Sequence, residues 1–347
     1  MKKREIYIDI AKGIGILLVV YGHVLARFQD ANFYYSCLVI QNKIIFSFVM
    51  PLFFIISAYF QRVRLEKEKF DHIKYLQKIS SSLLVPFYTL SFLFLPFSYI
   101  IYLTGNQNLG VNFANLKEML FALFFQQSNT KYLPSGVLWF LFTLFSYHFF
   151  SYLWIRIFKF RAIFLVVIGI ILKIFYPFFQ NTYWLGFNKF CQFFIFYAIS
   201  YVFAHKVYFT EDIFISWLSL IFSFLIYLIL IFEDKNNFLL QYVSFLGTTG
   251  ILGSFIVIRF SYLFNSKLKT NLIVKILSFF GKNSMAIYVF HAPTFVICKF
   301  FILLLNISNI LIKIFFIFVP SVILPLVYAK ILSFYRPAYK LLLGRNP

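Results

Sequence analysis

Long apolar segments recur along nearly the whole chain, and they limit its fold more than any other feature. Hydrophobic residues make up 62% of the 347 residues and charged residues only 12%, so that the mean hydropathy is +0.85. A helix crosses the hydrocarbon core of a bilayer with about 20 apolar residues, because its backbone polar groups then pair within the segment. The sequence therefore predicts an all-α fold, a polytopic integral membrane helix bundle.

The apolar residues divide into about ten predicted transmembrane spans. These spans are residues 10–27, 43–61, 80–103, 136–155, 162–180, 189–205, 213–232, 239–260, 278–298 and 309–333. The connections between them leave no room for a soluble domain, so we expect residues 1–347 to form a single transmembrane domain with no appended soluble domain. The basic start of the chain is interpreted as the beginning of an uncleaved first transmembrane helix rather than of a signal peptide.

The positive charge supports an orientation for this bundle. The net charge is +21, and Lys and Arg mark the cytoplasmic segments of membrane proteins. Most basic residues fall in segments that are cytoplasmic if both termini are inside, namely 2–4, 62–78, 156–161, 206, 259–282 and 330–345. We therefore predict an N-in, C-in topology. Membrane lipids or a polyanionic cofactor are expected partners for this charge, and nucleic acid is not.

Two polar residues, Lys12 and His23, interrupt the apolar first span. They lie eleven positions apart, so at about 100° per residue they share one face of a helix. The positions between them on that face include Gly15, Ile16 and Val19. Ionisable groups at membrane depth are costly, which favours a functional interpretation and predicts a polar cavity beside this face.

The chemistry of the first span depends on how its polar residues are used. A neutral imidazole accepts a proton from a hydroxyl near neutral pH, which suits His23 to general-base acyl transfer. Asp9 precedes Lys12 by three residues, so the two side chains can pair at the inner boundary of the span. The structural alternative stays open: a buried, hydrogen-bonded histidine and a lysine that extends to the cytoplasmic surface.

A second polar stripe lies in the ninth span. Ser284, Tyr288 and His291 follow an i, i+4, i+7 spacing and therefore share one helix face. Pro293 is expected to distort the helix just beyond the histidine. The stripe fits either a functional site or interhelical hydrogen bonds that hold the bundle together.

Other polar or unusual residues favour structural interpretations. Pro51 is expected to break the regularity of the second span, and Ser57 and Ala58 permit close helix packing. Trp139 is interpreted as an interfacial anchor. The remaining histidines and the three cysteines show no metal-ligand or disulfide spacing, and the histidines are interpreted as a loop residue, a core residue and a helix-end residue, in the order His72, His148 and His205.

Four segments, taken in order, resemble the membrane-bound acyltransferase 3 family, whose members O-acylate surface sugars. These segments are residues 7–13 with 22–23, 50–57, 138–141 and 281–291. The resemblance implies an acyl-CoA donor, usually acetyl-CoA, that binds from the cytoplasmic side and is not permanently bound. It also implies that His23 is the essential histidine and that Lys12 stands where many members carry Arg or Lys.

The chain departs from the family pattern at several positions. Many relatives carry arginines shortly before the proline of the third span, where this chain has Ser81 and Ser82. Lys74 and Lys78 are the candidates to replace that contact with the CoA phosphates. Val49 and Ala58 also differ, since many relatives carry a basic residue or histidine at the first position and glycine at the second.

Together these observations predict an inner-membrane O-acyltransferase, with acetyl as the expected group, that moves an acyl group from acyl-CoA to a hydroxyl of a cell-surface or lipid-linked glycan. His23 would act as general base or acyl relay in a cavity between spans one and nine. The predicted site residues are His23, Lys12 and Asp9 for catalysis, His291, Tyr288, Ser284, Ser57 and Trp139 for substrate, and Lys12, Lys74 and Lys78 for the donor.

Three alternatives stay open at this point. A transporter or flippase for a lipid-linked glycan would also use a polar helix face without a recognisable nucleophile. A structural or sensory membrane subunit would use both polar stripes for packing. The chain is also compatible with a homo-oligomer or with a separate accessory transferase.

Overall fold

The structure is a computed structural model that describes residues 5–26, 28, 34–67, 70–103, 116–129, 135–207, 213–232, 247–268 and 271–347. The described residues form helices and no strand. The α-helices are α1 (Ile6–Leu25), α2 (Tyr34–Leu65), α3 (His72–Ile79), α4 (Val85–Leu103), α5 (Leu116–Phe125), α6 (Trp139–Tyr152), α7 (Ile163–Phe179), α8 (Phe187–Val207), α9 (Ile213–Ile231), α10 (Thr248–Lys267), α11 (Leu272–Lys282), α12 (Ser284–Leu304), α13 (Ile310–Ser333) and α14 (Arg336–Leu343).

These helices bear out the prediction of an all-helical membrane protein. Among the described residues, six helical segments are long and apolar enough to cross a membrane, namely Ile6–Leu25, Cys37–Leu65, His72–Pro96, Gly136–Ile157, Ser284–Leu304 and Ile310–Ser333. The protein is therefore a multi-pass membrane protein. A helix is found at each of the ten predicted spans, although residues 239–246 lie outside the described part. The count of ten crossings and the N-in, C-in orientation stay predictions.

Helix α1 lies in the middle of the bundle, where it packs against α2, α10, α11, α12 and α13. Its closest approach is to α11. A Cβ atom added at Gly13 would overlap the Leu277 carbonyl, and one added at Gly281 would overlap the Asp9 carbonyl. Small residues let two helix backbones approach in a membrane. The two glycines therefore fix the position of α1, and with it the position of His23.

The segment 62–79, interpreted as a cytoplasmic loop, is helical over much of its length. Its position on the cytoplasmic side stays a prediction. Helix α2 continues to Leu65, and α3 begins at His72. The Asp71 carboxylate accepts a hydrogen bond of 2.9 Å from the Lys74 backbone N–H and so caps α3. A π-helical turn, Ser80–Leu84, then joins α3 to α4. His72 is accordingly a helix residue, and its Nδ1 lies 3.0 Å from the Tyr152 hydroxyl.

Helices α2 and α12 continue through Pro51 and Pro293, so neither proline ends its helix, and the expected distortion at each stays a prediction. Membrane helices tolerate proline where neighbouring helices and local adjustments accommodate it. At Pro51 the neighbour is Gly250 of α10. A Cβ atom at Gly250 would lie 2.8 Å from the Pro51 Cγ, so the missing side chain leaves room for the proline ring.

Arg259, one of the cations expected in a cytoplasmic segment, lies buried inside α10. The residue is 3% exposed, and its guanidinium lies 5.3 Å from the centre of the Phe255 ring. The reason is that α10 extends to Lys267, past the predicted end of the span, and buries Ser261 and Leu263 on the way. Arg259 therefore contributes to packing within the bundle.

Candidate functional site

The two histidines of the polar stripes lie together. The ring centroids of His23 on α1 and His291 on α12 are 5.4 Å apart, and the ring planes make an angle of 30°. Phe46 of α2 approaches His23 edge-on at 5.1 Å, and Phe295 approaches His291 at 5.3 Å. His291 is fully buried, whereas His23 is half-buried. We call these two residues the histidine pair.

The backbone of α12 fixes the orientation of His291. Its Nδ1 lies 2.7 Å from the Tyr288 carbonyl oxygen and 3.2 Å from the Ile287 carbonyl oxygen. A carbonyl oxygen can only accept a hydrogen bond, so we assign the ring proton of His291 to Nδ1. The imidazole is thus held by its own helix in the position where it stacks on His23.

A cavity of about 100 Å³ lies between α1, α2, α6 and α12. The histidine pair does not line it and lies one helical turn away along α1 and α12. Ile16 and Val19 line it from α1, and Ser284 and Tyr288 line it from α12. Val19 lies one helical turn before His23, and Tyr288 lies one turn before His291. The structure therefore places the cavity on the face of α1 that carries Lys12 and His23, between the helices of the first and ninth predicted spans.

Tyr288 is fixed against the start of α6. Its hydroxyl donates a hydrogen bond to the Val137 carbonyl, and its ring meets the Phe140 ring edge-on at 5.6 Å. Because Phe140 also lines the cavity, this contact ties the polar stripe of α12 to the opposite wall. Ser284, the first residue of α12, lies at the opposite end of this stripe from His291.

Lys12 lies at the other end of α1 from the histidine pair. Its Nζ is 5.0 Å above the Phe60 ring of α2, whereas His23 contacts Phe46 of the same helix. Eleven residues of helix separate Lys12 and His23 by about 16 Å along the axis, too far for direct contact. Asp9 is buried on α1 at 5% exposure, and its pairing with Lys12 stays a prediction.

Lys74 and Lys78 belong to a group of four cations at the same end of α2. The charges of Arg64, Lys67 and Lys74 are close enough to act on the Lys78 ammonium, and we call these four residues the cation cluster. Arg64 follows Phe60 by one helical turn, so Lys12 and the cluster lie along one side of α2. Lys and Arg side chains grouped in this way can bind phosphate oxygens.

Ser57 and Trp139 are not among the residues that line the cavity. The Ser57 hydroxyl lies 2.8 Å from Nε2 of His148, on α6. His148 is 5% exposed, and its carbonyl oxygen accepts hydrogen bonds from the hydroxyls of Tyr75 and Ser151, each of 3.1 Å. The serine thus joins α2 to α6, and His148 lies in the core, where the sequence suggested it.

Trp139 stacks on Phe193 of α8, with ring centroids 5.6 Å apart and an interplanar angle of 21°. The Lys189 ammonium lies 5.2 Å from the same indole ring. The neighbouring Phe140, rather than Trp139, reaches the cavity. The tryptophan therefore packs α6 on α8 beside the site.

Four cavity residues were missed by sequence reasoning: Met50, Phe53, Phe140 and Met285. Each is an apolar side chain in an apolar helix, so its type gives no signal. The signal available is position, because all four lie in the segments 50–57, 138–141 and 281–291 that carry the family resemblance. Arg64 was also missed, since it counted only as one charge among many.

A family model described as an acyltransferase domain matches residues 5–330, which include the histidine pair, the cation cluster and every residue of the cavity. No curated protein and no solved structure matches the chain. The matched range is nearly the full length of the sequence. The chain therefore belongs to the acyltransferase 3 family.

Proposed function

We propose that the protein is an O-acyltransferase of the cytoplasmic membrane, which moves an acyl group from acyl-CoA to a hydroxyl of a cell-surface or lipid-linked glycan. The observation that supports this most is the histidine pair beside the cavity, in a chain of an acyltransferase family. A half-buried imidazole next to a cavity can meet a substrate hydroxyl. The expected acyl group is acetyl.

His23 is the proposed catalytic residue. As general base, its imidazole takes the proton of the acceptor hydroxyl while the hydroxyl oxygen attacks the thioester carbonyl. The carbon–sulfur bond then breaks, and the proton passes to the leaving CoA thiolate. Acting instead as an acyl relay, His23 would carry the acyl group on its ring before the acceptor attacks. His291 positions His23 by stacking and adjoins the acceptor, whereas Tyr288 and Ser284 line the cavity beside the pair.

The donor would enter from the Lys12 end of the bundle. The cation cluster supplies positive charge for the phosphates of CoA, and Lys12 lies between the cluster and the cavity along α2 and α1. An anionic donor held at this end would direct its thioester along α1 toward His23. The acceptor would then approach from the end of the bundle where the histidine pair lies.

Release of CoA by the purified protein tests this proposal. In detergent, the wild-type protein should release CoA from acetyl-CoA when a glycan acceptor is added, and His23→Ala should abolish the release. His72→Ala is the matched control, because His72 is exposed on α3 and lies outside the cavity. Full turnover by His23→Ala would overturn the assignment of His23.

A second measurement separates the enzyme from a transporter. A flippase for a lipid-linked glycan has no reason to bind acetyl-CoA, so binding of acetyl-CoA to the purified protein supports the acyltransferase. Mass spectrometry of surface glycans should show ester-linked acyl groups that disappear when the gene is deleted. Unchanged glycan acylation in the deletion strain would overturn the proposed acceptor.

A further inference from the structure

The cavity beside the histidine pair has almost entirely apolar walls. Met50 and Phe53 of α2, Phe140 of α6 and Met285 of α12 complete the lining begun by Ile16 and Val19. The hydroxyl of Tyr288, one of the two polar side chains, already donates to the Val137 carbonyl. Sugar hydroxyls buried against such walls would lack hydrogen bonds, and each such hydroxyl costs about 2–7 kcal/mol. The lining therefore suits hydrocarbon and disfavours a sugar ring.

The size of the cavity limits what it can hold. Its volume is about 100 Å³. An apolar protein cavity of about 150 Å³ stays dry and accommodates benzene, with its six carbon atoms. By proportion, the present cavity accommodates roughly four carbon atoms. A short acyl group fits within this volume, whereas a longer chain extends beyond it.

The position of the cavity matches an acyl chain attached to a donor at the Lys12 end. Along α1, Ile16 lies one turn beyond Lys12, and Val19 lies one turn before His23. An acyl chain that turns back from a thioester carbonyl near His23 lies beside Ile16, Val19 and the facing side chains of α2. Phe53 is seated in this place because Gly15 has no side chain: a Cβ atom there would lie 3.2 Å from the Phe53 ring.

We infer that this cavity is the acyl-chain pocket of the enzyme, that it admits acyl groups of two to about four carbons, and that Met50 and Met285 form walls that exclude longer chains. The inference rests on the proposed function and specifies its donor as a short-chain acyl-CoA. Met50 and Met285 are the walls to test, because each belongs to a different helix and each is an unbranched side chain whose truncation enlarges the cavity.

Competition between acyl-CoA donors of different chain length tests the pocket. For the wild-type protein, kcat/KM should be similar for acetyl-CoA, propionyl-CoA and butyryl-CoA and should fall at least about tenfold for each further methylene, as is common for a filled apolar pocket. Octanoyl-CoA should therefore be a very poor donor. A wild-type enzyme that uses octanoyl-CoA as well as acetyl-CoA would overturn the inference.

Truncation of the walls should shift this preference. Met50→Ala and, independently, Met285→Ala should raise kcat/KM for hexanoyl-CoA relative to acetyl-CoA by about 10–100-fold. The matched control is Met119→Ala, which removes the same atoms from a buried methionine of α5, outside the cavity. It should leave the ratio unchanged. An unchanged ratio in both cavity variants, with turnover of acetyl-CoA retained, would overturn the pocket.

The outcomes separate this inference from the proposed function. Transfer from acetyl-CoA without the predicted chain-length limit overturns the pocket and leaves the acyltransferase intact. Failure of the wild-type protein to transfer from any acyl-CoA overturns the proposed function, and the pocket with it. If either variant fails to fold, as judged by its thermal unfolding in detergent, the wild-type chain-length profile and the other variant still decide.

Discussion

The bundle contains two buried histidine environments that differ in what surrounds the imidazole. His148 is enclosed by protein groups: Ser57 contacts its Nε2, and Tyr75 and Ser151 donate to its carbonyl. His291 is anchored through Nδ1 to its own helix and presents its ring face to His23, one turn from a cavity. The first arrangement joins helices, whereas the second holds one imidazole against another next to open space.

Burial alone therefore does not identify a functional histidine in a membrane bundle. Buried polar side chains at membrane depth can be costly packing elements or functional groups. What separates the two cases here is access, since Val19 and Tyr288 bring the cavity within one turn of the histidine pair. His148 lies two turns beyond Phe140, the lining residue of its own helix, although its partner Ser57 follows the lining residue Phe53 by one turn. Variants that change one histidine environment and not the other test whether each histidine affects turnover or only stability.

The largest effect is expected at His291. His291→Phe keeps an aromatic ring for stacking but removes the hydrogen bond from Nδ1 to the Tyr288 carbonyl. The ring would no longer be held in register with His23, so we expect kcat for acyl transfer to fall by about 10²-fold with little change in thermal unfolding. Steady-state kinetics of CoA release measure this effect. Turnover close to wild type would place His291 with His148, as a packing residue.

Packing of α1 on α11 should have the next largest effect. A methyl group in Gly281→Ala would overlap the Asp9 carbonyl, so α1 must move away from α11. Overpacking of this kind costs about 1–3 kcal/mol, and the shift of α1 should also separate His23 from His291. We expect lower stability and lower turnover together. Gly169→Ala, where a Cβ atom would also approach backbone but between α7 and α8, should lower stability alone.

A smaller effect, on stability only, is expected at His148. His148→Leu removes the partner of the Ser57 hydroxyl and puts an apolar side chain of similar size in its place in the core. The loss of one buried interhelical hydrogen bond should lower the free energy of unfolding by about 1 kcal/mol. Thermal unfolding in detergent measures the loss, and kcat per folded molecule should stay at the wild-type value. A fall in kcat greater than tenfold would make Ser57 and His148 part of the reaction.

The sequence predicted the architecture where a periodic pattern carried it. Hydropathy located the helices, and helical spacing placed Lys12 and His23 on one face and Ser284, Tyr288 and His291 on another, because both patterns are local. It did not predict that the two histidines meet, since their contact depends on how α1 and α12 pack. Met50 and Phe53 gave no signal for the same reason: an apolar side chain that lines a cavity looks like any other until its neighbours are known.

Local capping chemistry was the other source of error. Asp71 caps α3, and a π-helical turn joins α3 to α4, so the charged segment that reads as a loop is a helix. That difference matters for the donor end of the proposed site, because it places Lys74 and Lys78 one turn apart on a helix, facing the charges of Arg64 and Lys67. A loop would not hold these cations together.

The smallest effect is expected at the cation cluster, which is proposed to bind the donor rather than to take part in acyl transfer. Replacing Lys74 and Lys78 by Ala in one variant removes two of the four charges from the end of the bundle farthest from the histidine pair. Exposed ion pairs are worth about 0.2–1 kcal/mol each, so loss of two of them should raise KM for acetyl-CoA about two- to thirtyfold with kcat unchanged. Added salt should narrow the difference in KM between the variant and the wild type, because it screens the cluster.

The matched control is Lys275→Ala, which removes an exposed cation of α11 outside the cluster. A lower kcat at unchanged KM would contradict a role in donor binding and assign the two lysines to the transfer step that the histidine pair performs.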